Sequence, residues 1–376
     1  MRCKIITDID PLATHTRTSV EILPGDGKEW LLSQPSAFDR PDDSKEFILI
    51  EGNLGVPQKI LCKAYLEAIP VFTRYKQELA PCTITVESTS SEVVDNLLWT
   101  SSVLILLNPG HQTAWNVRKR LAELQAVNLT QELSFTSALL TIRDCAKHSL
   151  LWHHRRWLLR QGSSVSLNIP SRPRTCEEEP AHDEDSLVQL DLSATILQGE
   201  FDACTTAANT YERNYFAWAH RSRCLDALAT SMRTSRTSGS PIPPDLLPEL
   251  LRQEAEKVAL WIERHIADYS AMQYHCRLAF VLRSLSAGDP LPLPTSPSCY
   301  LHATSLVNSY PEHESLWYYL RGALWAEAAS SSAHTHSDEL KDLCNRHLRS
   351  KEASEVQSRG TLRLASNFLA WLNRQD

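Results

Sequence analysis

From Gln58 onward the apolar positions fall at helical spacing. Ile60, Leu61, Ala64, Tyr65, Ala68 and Ile69 form one stripe, and a three- and four-residue rhythm marks one face of an amphipathic helix. The rhythm resumes over residues 93–107 and stops at Asn108-Pro109, a helix-ending pair. It recurs over residues 133–146, 186–209 and 250–266, the last with Ala255, Val258, Ala259 and Ile262 in register. Each of these segments precedes another helical segment that carries a bulky ring, and Asn214 and Pro311 stand where N-terminal turns are expected. Residues 1–45 show no sustained period and read as a loosely ordered leader. Residues 47–50 are short and apolar, a strand or an extended packing segment. The Gly52-Asn53-Leu54-Gly55 stretch reads as a turn.

The ring-bearing segments share a Trp-x-x-Arg unit. It occurs as Trp115 with Arg118, Trp152 with Arg155 and Trp218 with Arg221; a degenerate copy pairs Tyr274 with Arg277, and Trp317 opens another that contains Arg321. Residues three apart share a helix face, so each unit sets a large plate beside a long cation. The plate is expected to fill the seam between successive hairpins. The arginine is expected to lay its stem on apolar surface and donate to carbonyls of a neighbouring helix.

The rings at 115, 152, 218, 274 and 317 are irregularly spaced. Removing stretches that read as loops restores a period in roughly the mid-thirties, one helical hairpin per repeat. Those stretches are 163–186, with prolines and the acidic run 177–185, then the Ser/Thr/Pro-rich 230–248, the four-proline 286–298 and the Ser-rich 330–337. The expected architecture is an all-α superhelix, a tetratricopeptide-like crescent of stacked hairpins over residues 47–374 behind a leader at 1–46.

Composition refines this only slightly. Eleven glycines against ten tryptophans suit long helices joined by short turns, and a formal charge of −7 argues against a general nucleic-acid binder. The ten cysteines are irregularly spaced without a C-x-x-C pair, and no secretory segment opens the chain. Both point to reduced thiols in a cytoplasmic protein. No apolar run approaches a membrane span. No P-loop, G-x-S-x-G, dinucleotide fingerprint or H-E-x-x-H is present. Adjacent His153 and His154 point about 100° apart on a helix and make a poor chelate. His334 and His336 sit in a Ser-rich loop and make a similarly poor pair, so no metal is assigned to this chain.

The repeat units carry a family resemblance. Thr113-Ala114-Trp115-Asn116-Val117-Arg118-Lys119, Leu151-Trp152-His153-His154-Arg155-Arg156-Trp157 and Asn214-Tyr215-Phe216-Ala217-Trp218-Ala219-His220-Arg221 resemble the repeats of protein prenyltransferase alpha subunits. Trp317-Tyr318-Tyr319-Leu320-Arg321-Gly322 is similar to the last repeat of farnesyltransferase alpha subunits, with Leu320 where arginine is otherwise expected. Asn53-Leu54-Gly55-Val56, Leu106-Leu107-Asn108-Pro109 and Ser309-Tyr310-Pro311 add to the likeness, which covers roughly residues 47–374.

The resemblance implies an alpha, non-zinc-binding subunit that wraps a beta subunit carrying Zn²⁺ and most of the isoprenoid pocket. Within the family it implies a type III geranylgeranyltransferase that shares its beta subunit with the Rab-directed enzyme. Its substrates would be Cys-containing proteins, a SNARE among them. Arg213-Asn214-Tyr215 matches a Lys-Asn-Tyr segment that faces the isoprenoid diphosphate, so Arg213 and Tyr215 become candidate catalytic residues. The competing reading is a helical repeat scaffold that binds protein partners without supporting transfer, with Arg213 a solvated loop cation and Tyr215 packed on its hairpin.

Overall fold

A computed structural model describes residues 19–27, 48–50, 53–79, 90–166, 186–188, 190, 192–238, 246–286, 298–328, 337–349 and 355–374. The acidic run 177–185 and the pair His334 and His336 lie outside the described residues, as does most of the expected leader.

The chain is helical from Gln58 on. Helix α1 is Gln58–Leu79, α2 Ser91–Leu107, α3 Gln112–Glu123, α4 Leu129–Leu139, α5 Arg143–Ala146, α6 Ser149–Ser166 and α7 Ala194–Thr210. Then come α8 Tyr215–Ser238, α9 Leu246–Arg264, α10 Tyr269–Ser286, α11 Cys299–Ser309, α12 Glu314–Ala328, α13 Ser337–Arg349 and α14 Glu355–Leu372. Side chains fix many of the ends. The Ser90 hydroxyl accepts from the Val93 N–H at the start of α2, Asn128 caps α4 and Ser298 caps α11. Consecutive helices pack as hairpins, with α2 on α3, α4 on α6, α9 on α10, α11 on α12 and α13 on α14. The ring-bearing helices also touch one another, α3 against α6 and α10 against α12, which is how a hairpin stack buries its inner faces.

The contacts divide the chain into two compact units. One holds the N-terminal part to Leu190 with Asp202–Ala217, the other Asp191–Phe201 with Trp218 onward. The core of the first is built from Leu97, Ile105, Trp115, Leu121, Leu139 and Trp152. Trp152 is fully buried. Trp152→Ala is expected to lower unfolding stability by about 3–5 kcal/mol, read from urea denaturation. An unchanged midpoint would remove the ring from the core.

Several sequence expectations shift. Within the leader, Ser19–Leu23 is a strand, β1, and it pairs in parallel with Asn53–Pro57, β3, where only a turn was expected. Ile48–Ile50, β2, pairs antiparallel with the other side of β3. Val20, Leu23, Leu54 and Val56 are buried, and the Thr141 hydroxyl accepts from the Val20 N–H at 2.8 Å. Segments of five residues are too short to show a period. Thr141 lies in the break between α4 and α5, so the expected helix 133–146 is two helices. The expected helix 186–209 begins only at Ala194, because Ser193 turns the chain and caps the Ile196 N–H at 3.3 Å. Helix α8 runs on into the expected loop 230–248. Pro248 sits in the first turn of α9, where its missing N–H costs nothing.

Candidate functional site

Arg118, Arg155 and Arg221 are buried, and Arg118 and Arg221 fork onto carboxylates. In the first unit Arg118 forks onto Glu132 of α4, Nε to Oε1 and Nη2 to Oε2, both at 2.6 Å. Its Nη1 donates to the Leu98 carbonyl at 3.1 Å and to the Ser101 and Ser102 hydroxyls at 3.0 Å, while the guanidinium lies 3.9 Å from the Phe135 ring centre. In the second unit Arg221 forks onto Glu254 of α9 at 2.6 and 2.7 Å and donates to the Phe201 carbonyl at 2.9 Å. Arg155 donates to the Leu133 carbonyl at 3.2 Å and to the Thr136 and Ser137 hydroxyls at 2.9 Å. Every hairpin that carries such an arginine is thus locked to the helix beside it by charge-assisted bonds in a dry setting.

A second side chain shares each carboxylate. His154 Nε2 lies 3.0 Å from Glu132 Oε1, and the Tyr274 hydroxyl donates to Glu254 Oε1 at 2.6 Å. His220 Nε2 makes the same contact with Glu200 at 2.8 Å. Burial alone would raise the Glu132 carboxyl, but the Arg118 charge and the hydrogen bonds from His154 and Arg118 hold it at about 2. Burial lowers His154, which its carboxylate neighbour only partly offsets, so the imidazole is neutral and donates through Nε2. Tyr274 replaces the repeat tryptophan without loss of burial and adds a phenol to the network. Tyr274→Phe is expected to cost about 1.5–3 kcal/mol by removing a hydrogen bond to a buried charge. A denaturation midpoint equal to that of the parent would show Arg221 alone satisfies Glu254.

The rings also mark the turn before each ring-bearing helix. Trp115, Trp152 and Trp317 donate their indole N–H to the carbonyls of Pro109, Ala146 and Pro311 at 2.8–3.0 Å. Trp218 instead donates to Asp268 Oδ2 at 3.0 Å, whose other oxygen caps the Ala271 N–H. The degenerate units depart from the pattern. Arg277 is exposed and pairs with Asp226 at 2.7 Å rather than facing inward. Leu320 is buried at the arginine position, and Arg321 rests over the Tyr318, Phe368 and Trp371 rings.

Arg213 and Tyr215, by contrast, point outward. Arg213 is exposed in the turn between α7 and α8 and adopts a left-handed backbone, φ +56°, a region that side chains other than Gly, Asn and Asp rarely enter. Tyr215 is 65% exposed at the first position of α8, edge-on to Phe216 at 5.5 Å. Between them Asn214 is buried. Its Oδ1 accepts from the Ala217 N–H at 3.1 Å and its Nδ2 donates to the Ala146 and Ala207 carbonyls at 2.9 and 3.3 Å. One amide therefore caps α8 and pins this turn to the turn ahead of α6. That neighbouring turn is basic: Arg143 and Lys147 lie 5.2 and 5.9 Å from the Tyr211 ring centre, with Asp144 on Lys147 at 2.6 Å. Arg213 and Tyr215 are thus exposed on a turn that Asn214 ties to the segment carrying Arg143 and Lys147. Among the described residues Arg213 makes no hydrogen bond or ion pair that would occupy it.

Among the described residues no group of three His, Cys, Asp or Glu is placed to hold a metal ion, and His154 is committed to Glu132 and packed between Trp115 and Trp157. No helix among the described residues is long and apolar enough to cross a membrane. Sequence reasoning missed the carboxylates Glu132, Glu200 and Glu254. Their signal is an acid 18–20 residues before each of the rings at 152, 218 and 274.

Comparison with known proteins agrees with this geometry. The protein prenyltransferase alpha subunit repeat matches residues 129–162 and 197–228, which cover the hairpin α4–α6 and most of α7–α8. Protein prenyltransferase alpha subunit repeat-containing protein 1 of Danio rerio is 28% identical over 284 residues, 65% of this chain and 61% of that protein. Its Homo sapiens counterpart is 27% identical over 261 residues, 60% and 58% of the two chains. Repeat-containing protein 1-B of Xenopus laevis is 30% identical over 193 residues, 51% and 38%. The chain spans less than two thirds of the length of these relatives. The two matched stretches, with their ring-and-arginine hairpins, are similar to protein prenyltransferase alpha subunit repeats.

Proposed function

We propose that this chain is the alpha subunit of a heterodimeric protein prenyltransferase that transfers a geranylgeranyl group to protein cysteines, and that it is inactive alone. The observation that carries the reading is the turn at 213–215. A costly left-handed backbone holds an exposed arginine beside an exposed tyrosine, and a buried asparagine fixes both against a basic neighbouring turn. Such an edge is preorganised to receive charge that develops on a departing diphosphate. Arg213 would stabilise the oxygens freed as the bond to the isoprenoid breaks, with the Tyr215 hydroxyl as a second donor. Arginine in place of lysine offers a fork rather than a point charge.

The remaining parts belong to the partner. Zn²⁺ on the beta subunit, which the Rab geranylgeranyltransferase would share, supplies the thiolate form of the substrate cysteine. The repeat stack of this chain supplies the scaffold and surface for docking a Cys-containing protein such as a SNARE. Co-expression with candidate beta subunits, co-purification and an isoprenoid-transfer assay test the reading. A stable pair that transfers geranylgeranyl is expected. No pairing with any beta subunit would leave the scaffold reading, which the exposed aromatics Tyr269, Tyr318 and Trp325 also suit.

A further inference from the structure

Helices α10, α11 and α12 enclose a cluster that the repeat pattern does not require. The Cys276 and Cys299 sulfurs lie 4.0 Å apart. Cys299 Sγ is 3.9 Å from His275 Nδ1 and 3.6 Å from the Tyr319 hydroxyl. That hydroxyl also contacts His275 Nδ1, and it lies 2.9 Å from His302 Nδ1. Cys299 and Tyr319 are buried, whereas Cys276 is half-buried. On the far side of Cys276 stands Gly322, where any Cβ would come within 2.9 Å of the sulfur. The absence of a side chain there leaves Cys276 room to sit against α12.

We propose that Cys276 and Cys299 are a redox modification site, closing to a reversible disulfide under a peroxide-class oxidant and stapling α10 to the start of α11. The two thiols differ in character. Cys299 is the first residue of α11 after its Ser298 cap, a position that favours thiolate. The hydrogen bond with Cys276, then His275 and Tyr319, holds its thiol well below the ordinary value, while the same pairing raises Cys276. The Cys299 thiolate attacks one peroxide oxygen, the O–O bond breaks, and the departing hydroxide takes up the proton that Cys299 released on ionising, giving the first water. The resulting sulfenic acid is attacked by Cys276, whose proton leaves with the displaced hydroxide as a second water. Two thiols are oxidised and one peroxide is reduced to two waters. Bond formation needs the sulfurs to approach by about 2 Å, since a disulfide spans about 2.05 Å.

The test uses the full chain treated with stoichiometric hydrogen peroxide, then alkylated under denaturing conditions and mapped by mass spectrometry. A Cys276–Cys299 cross-link about 2 Da lighter than the two free thiols, reversed by dithiothreitol, is expected. In Cys276→Ser, dimedone is expected to label Cys299; in Cys299→Ser, Cys276 is expected to stay unlabelled. The idea is overturned if both thiols of the parent remain fully alkylatable while oxidation falls on the exposed Cys62. Because the parent gives that answer without substitution, a variant that fails to fold does not blur it.

Discussion

Arg118→Met is expected to lose about 3–5 kcal/mol of unfolding stability, because it leaves Glu132 buried without its cation. The same substitution changes how the protein meets acid. In the parent, Glu132 stays ionised down to about pH 2 when folded, while an unfolded glutamate protonates near its model value of 4.5. The stabilisation is therefore complete above pH 4.5 and is lost as pH falls from 4.5 to about 2, about 3 kcal/mol in all. His154 adds to the same trend. Its folded form resists protonation, so its contribution is present above its ordinary value of 6.5 and drains away below it. Without Arg118 the desolvated carboxyl takes up a proton at higher pH, so the acid-unfolding midpoint moves up. Replacing both partners, Arg118→Met with Glu132→Leu, is expected to recover most of the loss, since an apolar pair of similar volume is tolerated where an orphaned charge is not. An acid midpoint unchanged in Arg118→Met would show that the fork contributes little.

Arg213→Gly is expected to move stability and activity in opposite directions. Glycine adopts φ +56° without a Cβ penalty, so the variant gains about 1 kcal/mol. In the proposed heterodimer, it is expected to lose on the order of 10²-fold in transfer rate, the scale seen when one donor to a developing anion is removed. Arg213→Lys would retain charge without the fork and fall between. Heterodimer assembly is expected to survive in both variants. Equal turnover of parent and glycine variant at saturating lipid diphosphate would take Arg213 out of the chemistry and leave the turn as a purely structural one.

The apolar rhythm and the rings were legible because both are local. A stripe at three and four residues, or Trp152 three before Arg155, can be read within one turn of helix. What the rhythm could not reveal is closed by residues distant in sequence. Glu132 meets Arg118 across 14 residues and His154 across 22, and Glu254 meets Arg221 across 33. Such an acid looks solvated until its partners are placed. Arg277 fitted the sequence pattern but faces Asp226, 51 residues earlier. Arg213 gave no backbone signal, since the residue types that mark left-handed turns, Gly and Asn, do not occupy it. The strand Ser19–Leu23 was hidden because its partner lies 34 residues on.

The indole bonds to carbonyls six residues back have a practical corollary for anyone who splices a reporter into this protein. Each bond spans the turn between the two helices of a hairpin. One added residue there would rotate the following helix by about 100° and carry its ring off the core. The long, proline- and serine-rich stretches of the chain instead follow the ring-bearing helices, after Ser166, Ser238, Ser286 and Ala328. A fluorescent domain or epitope grafted after those residues should leave the ring and arginine network in register, whereas the same graft between 109 and 111 or between 311 and 313 should not.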